Sequence, residues 1–483
     1  CPRAPDVAGR ARLSTYTGSV TSPTRRHVLI VTGEPLGTKM AGPAIRAVEM
    51  ATLLKPDNDV ILATMGRCDL VIEGITTVHL NHQNARQLVE GSDVIIFQGV
   101  FLSIYHWAAN SDAVIIPDIY DPFHLETLEQ ESDRPMAERW EVSHMTVEAL
   151  NHQIRRGDYF VCASEKQRDF WLGQLAGQGR INPTSYDEDA SLRRLIDVAP
   201  FGLPEETPVQ KQHGLRGVID GIGQDDKVIL WGGGVYNWFD PLTLIRAMAV
   251  VAEKVPEARL VFMGMKHPNP DVPAMAMANH SRELAEQLGL TGRHVFFNET
   301  WVPYQDRADL LLDADIGVSC HFDHIETEFS FRTRILDYLW AGLPIVCTQG
   351  DAFATLVETE GLGATAAPED VLGLATALID LLTDEPARAA ASERVKEVAK
   401  RFTWRQSLAP LMAFMADPRR APDLHPDTPR PHTPAGFVHR PKFGPRADLA
   451  LFRTYLDQGG PGELVRRMTG RVRRIARETV SGR

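Results

Sequence analysis

Cysteine is scarce in this chain: five residues in 483 (Cys1, Cys68, Cys162, Cys320 and Cys347), odd in number and far apart. Such spacing holds neither a disulfide framework nor a paired zinc motif, and it points to a reducing, intracellular compartment. Long apolar runs are missing as well. No 18 apolar residues stand together, so no spanning helix is expected, and residues 1–26 lack the apolar core of a secretory signal. That Arg-, Ser-, Thr- and Pro-rich stretch is expected to be a disordered N-terminal segment; because it begins with Cys and not Met, the natural start is expected to lie elsewhere. Basic charge is short: 51 Lys and Arg against 63 Asp and Glu leave −12. Nucleic acid is thereby excluded as the main partner, because phosphate backbones require a basic surface.

What is present is ordinary for a soluble globular chain. Hydrophobic residues make up 43% and charged residues 24%, so substantial cores can be buried, and collagen-like, coiled-coil and mucin-like readings fall. Domains usually hold about 100–200 residues, so two large lobes plus tails are expected.

Apolar, β-branched runs mark the first lobe, residues 27–200. They are His27–Gly33, Val60–Ala63, Asp93–Phe97, Ala113–Pro117 and Asp158–Ala163, alternating with helix-length segments such as Ala44–Leu54 and Pro135–Arg156. The Pro/Gly stretch Val198–Pro204 interrupts the pattern. A second series follows within residues 201–400: strands Val228–Trp231, Arg259–Met263, His294–Phe297, Ile316–Ser319 and Pro344–Thr348, and helices near Pro241–Lys254, Ser281–Leu288, Tyr304–Leu312 and Arg332–Trp340. Strand-helix alternation predicts an α/β fold of two Rossmann-like, doubly wound parallel domains. Their strand ends would face one ligand across a cleft.

Residues 401–416 are read as a closing helix and 417–483 as a Pro/Arg-rich tail. The last 23 residues, 461–483, carry seven Arg and two Glu. Leu464, Val465, Met468, Val472, Ile475 and Ala476 share a helical face there. A basic amphipathic helix over 463–479 suits an anionic membrane surface, or docks on the acidic body of its own or a neighbouring chain.

The most informative segment is Glu326–Val346. Ser330 stands at an N-cap position before a helix Phe331–Ala341, and Gly342 at its stop. A helix start beside the cleft, with Arg332 and Arg334 and the backbone of Ser330 and Phe331, predicts a pyrophosphate site. The competing reading pairs both arginines with Glu326, Glu328 or Asp323. His321 and His324 suit hydrogen bonding better than metal binding. Trp301, Pro303 and Tyr304 border a nucleotide base or simply pack.

Leu336-Asp337-Tyr-Leu-Trp-Ala-Gly-Leu-Pro-Ile-Val346, the hinge Ala199-Pro-Phe-Gly-Leu203 and Phe402-Thr-Trp-Arg405 together resemble the retaining glycosyltransferases of family 4, from about His27 to Met415. The resemblance implies the GT-B fold and a nucleotide-sugar donor in the second lobe. It places Asp337 on the nucleotide ribose. The family's other donor glutamate is out of register: Phe329 holds its place, with Glu328 one residue away. The loop Trp231–Pro241 lacks the family's Arg and Lys, so Gly233 and Gly234 are expected to supply backbone contacts while Arg332 and Arg334 supply charge. In the first lobe Gly33–Pro43 resembles the glycine loop over the phosphates, with Gly42 the chosen contact and Lys39 a further one. Past strand Ala113–Pro117, Asp121 and His124 are expected to touch the donor sugar or orient the acceptor hydroxyl, with a loop histidine as the plain alternative for His124.

The expected activity is therefore glycosyl transfer with retention from a nucleotide-diphosphate sugar to a carbohydrate or lipid-linked hydroxyl acceptor, in cell-surface polysaccharide or glycolipid synthesis. Neither metal nor cofactor is expected. The protein is read as cytoplasmic, with a peripheral place at the inner membrane face open to it. A nucleotide-sugar epimerase and a non-catalytic scaffold are the rivals.

Overall fold

The computed structural model describes residues 25–428 except 268 and 270–274, together with scattered positions between 452 and 469. The chain divides into a unit ending at Pro426 and a second unit, Asp427–Arg483. Both lobes belong to the first unit. In the second, Val465, Arg466 and Thr469 are helical and exposed; most of the expected 463–479 helix and the tail residues 429–450 lie outside the described residues.

The first sheet comprises β1 (Arg26–Thr32), β2 (Asn58–Thr64), β3 (Thr76–His79), β4 (Val94–Phe97) and β5 (Val114–Pro117), in the order β3-β2-β1-β4-β5. Every pairing is parallel, and Val28–Val31 of β1 stand level with Val60–Ala63 on one side and Val94–Phe97 on the other. Helices on both faces bury such strands completely, which is why β1 and β4 read as unbroken apolar runs. A bridge between Asp118 and Val161 leads to the pair β6 (Phe160–Cys162) and β7 (Ile196–Val198).

In the second lobe β8 (Lys227–Trp231), β9 (Ala258–Phe262), β10 (Val295–Phe297), β11 (Ile316–Ser319), β12 (Ile345–Thr348) and β13 (Gly363–Ala366) form a parallel sheet ordered β10-β9-β8-β11-β12-β13. The order reverses between β1 and β4 in one sheet and between β8 and β11 in the other. Loops leaving the strands at such reversals diverge and open a crevice.

Hinge residues join the lobes tightly. The Leu203 N–H donates to the Phe402 carbonyl (2.7 Å) and the Trp404 N–H to the Leu203 carbonyl (3.0 Å). A Cβ on Gly202 would lie 2.5 Å from the Trp404 Cα, so only glycine fits this crossing. The single closing helix expected over 401–416 is two pieces, Trp404–Ser407 and Ala409–Ala416. The second returns to the first lobe, where Phe414 stacks on Tyr159 at 4.2 Å. Beyond it the chain straps the first lobe: Arg180 grips Asp423 at 2.7 and 3.1 Å, and the Ala421 N–H donates to Asp158.

Candidate functional site

A cavity of about 400 Å³ lies between the lobes, within the range of small-ligand sites. Its walls are the loops at the two sheet reversals and their neighbours: Glu34 and Met40–Pro43 after β1, Tyr120–Pro122 after β5, Gly232–Gly234 after β8, and Ser330–Arg334. Trp301 and Tyr304 also line it, and the Trp301 Nε1–H donates to the Met40 carbonyl of the opposite lobe (3.2 Å).

The Glu326–Val346 segment folds differently from its local signals. Ser330 does not cap the following helix; it ends a short one, Ile325–Phe329, with its hydroxyl bonded back to the Thr327 carbonyl (3.2 Å). The next helix is Thr333–Ala341, preceded by Arg332 with no side-chain cap, so its first N–H groups are left for a ligand. Gly342 ends it in the left-handed region (φ 70°), as expected.

The two arginines part company at this break. Arg332 is sealed against Glu326 in a bidentate pair (2.8 and 2.6 Å), both residues buried, and its Nη2 also donates to Thr327 (3.2 Å). The pair with Glu326 engages both Nη atoms, while Nε keeps no partner among the described residues and Arg332 still lines the cavity. Among the described residues Arg334 has no carboxylate partner. Its guanidinium lies between the rings of Trp231 (4.3 Å) and Phe239 (4.0 Å), and Nη2 donates to the Gly234 carbonyl (2.9 Å). Nη1 has no partner in a residue only 7% exposed. Burial lowers the guanidinium pKa to about 10, still protonated at neutral pH.

The glycine loop explains how Arg334 is held. Gly233 turns the chain at φ 74°, and the Gly234 carbonyl accepts from both Arg334 and the Trp231 indole (3.1 Å). Gly234 thus orients the cation, and both it and Gly233 line the cavity, as expected of the two. Gly42 and Phe331 are cavity residues as expected. Asp337 faces the cavity one turn beyond Arg334, a third exposed, and accepts from the Arg307 Nε (3.2 Å). Burial raises its pKa against the pull of Arg307. Arg307, which its local sequence did not single out, is sandwiched by Tyr304 (3.7 Å) and Trp340 (4.2 Å).

On the first-lobe wall, Asp121 and Glu126 are hydrogen-bonded to each other. Burial and then neighbouring carboxylates raise the Asp121 pKa to about 7 and push that of Glu126 well up. Glu126, in the first turn of the helix Phe123–Gln130, lines the cavity with Asp121 but was not singled out by its local sequence. Among the described residues no three His, Cys, Asp or Glu are grouped to hold a metal ion, and no helix is long and apolar enough to cross a membrane.

Residues 226–384 match the family model described as Glycosyl transferases group 1. The chain is 26% identical over 196 residues to a phosphatidyl-myo-inositol mannosyltransferase of Mycolicibacterium smegmatis, covering 40% of this chain and 46% of that protein. It is 29% identical over 190 residues to D-inositol 3-phosphate glycosyltransferase 2 of Catenulispora acidiphila, covering 39% and 43%. It thus spans about half the length of the curated relatives it matches. Two solved structures superpose on 81% of this chain and 100% of their own: WaaG, a glycosyltransferase involved in lipopolysaccharide biosynthesis (TM-score 0.57, 16% identity), and Anabaena HepE in complex with UDP and glucose (TM-score 0.57, 14% identity). The fold is GT-B.

Two further expectations about the GT-B cleft need correction. Glu328 pairs with Lys166 of the first lobe, away from the cavity wall, because the short Ile325–Phe329 helix turns it outward while burying Glu326. His124 also lies off the wall: its ring stacks on Phe170 (5.5 Å) and leans on Trp171 (5.9 Å), and Nδ1 is buried without a partner. Burial lowers its pKa from 6.5 to about 4. The unfolded chain therefore binds that proton more tightly, and stability rises with pH between about 4 and 6.5. His124→Phe is expected to stabilise the protein by at most about 2 kcal/mol at pH 5 and by almost nothing at pH 7.5. Urea unfolding at the two pH values measures the difference; equal effects at both would sink this account.

Proposed function

We propose that the protein is a glycosyltransferase moving a sugar from a nucleotide-diphosphate sugar to a hydroxyl acceptor with retention, in cell-surface polysaccharide or glycolipid synthesis. The observation that carries this reading is Arg334, a buried guanidinium with an unpartnered Nη1 that stands at the start of the Thr333–Ala341 helix among the residues lining the interlobe cavity. A guanidinium and a helix N-terminus together make an anion site. The match of the same lobe to group 1 glycosyltransferases supports a diphosphate as that anion. As the diphosphate departs, charge grows on its oxygens, and a cation already in place stabilises the transition state more than the ground state. The donor is read as a substrate, and no metal or further cofactor is proposed. Asp337 is assigned to the ribose and the first-lobe wall to the sugar and acceptor. A thermal-shift screen over nucleoside diphosphates and nucleotide sugars, followed by product analysis with hydroxyl acceptors, tests it. A ligand of the folded state raises apparent stability, and glycoside should form; no stabilisation by any of them would remove the reading.

A further inference from the structure

A buried side-chain amide crosses between the lobes behind the cavity wall. Gln167 is fully buried in the first turn of the first-lobe helix Glu165–Gly177. Its Oε1 accepts from the Ala163 N–H (2.8 Å), which leaves both Nε2 hydrogens free to point elsewhere. They go to the Tyr120 carbonyl of its own lobe and the Phe329 carbonyl of the other, each at 2.8 Å. Phe329 ends the short Ile325–Phe329 helix, where carbonyls have no partner within the helix, so the opposite lobe supplies the donor.

Neighbours of Gln167 reach across at the same place. Lys166 pairs with Glu328, and the Phe170 ring meets that of Phe329 at 4.7 Å. Lys166 and Phe170 stand four apart on one helix and Gln167 and Phe170 three apart, so the three side chains act together on Glu328 and Phe329. What they hold bears on the ligand. Ser330 and Phe331, which follow directly, line the cavity, and so does Tyr120 at the other carbonyl, whereas Gln167 stands outside the described lining residues. Past Phe331 begins the Thr333–Ala341 helix that carries Arg334.

We infer that Gln167 is a positioning residue: its amide clasps the lobes in the arrangement that binds a nucleoside diphosphate and fixes the chain break that presents Arg334. The inference rests on the glycosyl-transfer reading for its ligand, while the clasp itself does not depend on that reading. Gln167→Met keeps the length of the side chain and removes both donors. Closed lobes then leave two carbonyls without partners, which open lobes give to water, so the binding-competent fraction falls. In calorimetric titrations of the full chain with UDP and with GDP, the nucleotide the wild type accepts should bind Gln167→Met at least about tenfold more weakly. X-ray scattering without ligand should show a more open particle. A role confined to stability would lower the unfolding midpoint and leave both of these readings unchanged in the folded protein. The half-exposed ion pair gives a second test that spares the core. Lys166→Glu should weaken binding about two- to fivefold, and combining it with Glu328→Lys should restore it. Unchanged affinity and scattering in Gln167→Met overturn the inference; should that variant fold poorly, a Lys166→Glu loss that the exchange does not reverse, or no loss at all, does the same. Failure of the wild type to bind UDP, GDP, UDP-glucose or GDP-mannose would instead bring down the transferase reading, and scattering alone would then decide the clasp.

Discussion

Arg334→Ala is expected to lower turnover by about 10²–10³-fold, the usual loss when one preorganised donor to a developing oxyanion is removed. Loss of packing must be separated from loss of charge, because the guanidinium also fills the space between Trp231 and Phe239 and bonds the Gly234 carbonyl. Arg334→Met keeps most of the volume and removes the charge. It should match the alanine variant in turnover while keeping more stability. Arg334→Lys restores a point charge without the fork, and should recover only part of the rate. The split between constants is informative: an interaction stronger in the transition state lowers kcat and kcat/KM together. A rise in KM alone, with kcat unchanged, would mean that Arg334 merely binds the donor, and no change in either would remove it from the reaction.

The two sheets were legible because parallel strands buried on both faces are written as continuous apolar runs. β1, β2, β4, β5, β6 and β8–β12 fall where such runs occur. β3 (Thr-Thr-Val-His), β7 (Ile-Asp-Val) and β13 (Gly-Ala-Thr-Ala) went unread because they are short and partly polar, each sitting at the end of its sheet or strand pair, where only one neighbour pairs. The start of the Pro241 helix was equally plain: Asp240 accepts from the Thr243 N–H (2.9 Å), as an N-cap should. Ser164 likewise caps its helix by accepting from the Gln167 N–H (3.1 Å). Gln167 does more than a cap residue, though. Its Nε2 donates to the Tyr120 and Phe329 carbonyls (both 2.8 Å), tying the first lobe to the second, and no local pattern announces a partner 162 residues away.

Site chemistry was legible by location and much less by role. Asp121, Gly42, Gly233, Ser330, Phe331 and Asp337 all line the cavity, the first three in loops or a helix start past a strand's C-terminal end, Ser330 and Phe331 in the break between two helices and Asp337 in the helix that follows. The pairing of Arg332 with Glu326 has a specific cause. Six residues separate it from Glu326, a spacing that does not meet on a continuous helix, where neighbours are three or four apart. The chain breaks between Phe329 and Thr333, and that break lets the pair close. His324 completes the rearrangement by accepting from the Thr327 N–H (3.3 Å), taking the capping role that Ser330 seemed to offer one helix later.

That closed pair makes Glu326→Gln the most destabilising change expected near the cavity. It leaves Arg332 4% exposed, charged and without its carboxylate, and breaking a buried ion pair by removing one partner costs about 3–5 kcal/mol. Arg332→Met should be milder. A lone buried carboxyl can lose its charge by protonation, whereas a guanidinium stays charged. Replacing both, Glu326→Leu with Arg332→Met, removes both charges and should recover most of the lost stability. Denaturant unfolding of the four proteins closes the cycle, and the double variant then separates two roles for Arg332. If the pair only shapes the wall that presents Arg334, a refolded double variant should bind the donor within about tenfold of the wild type. A donor affinity that stays lost after stability returns would place Arg332 on the diphosphate after all, with Glu326 as the partner it leaves when the ligand arrives.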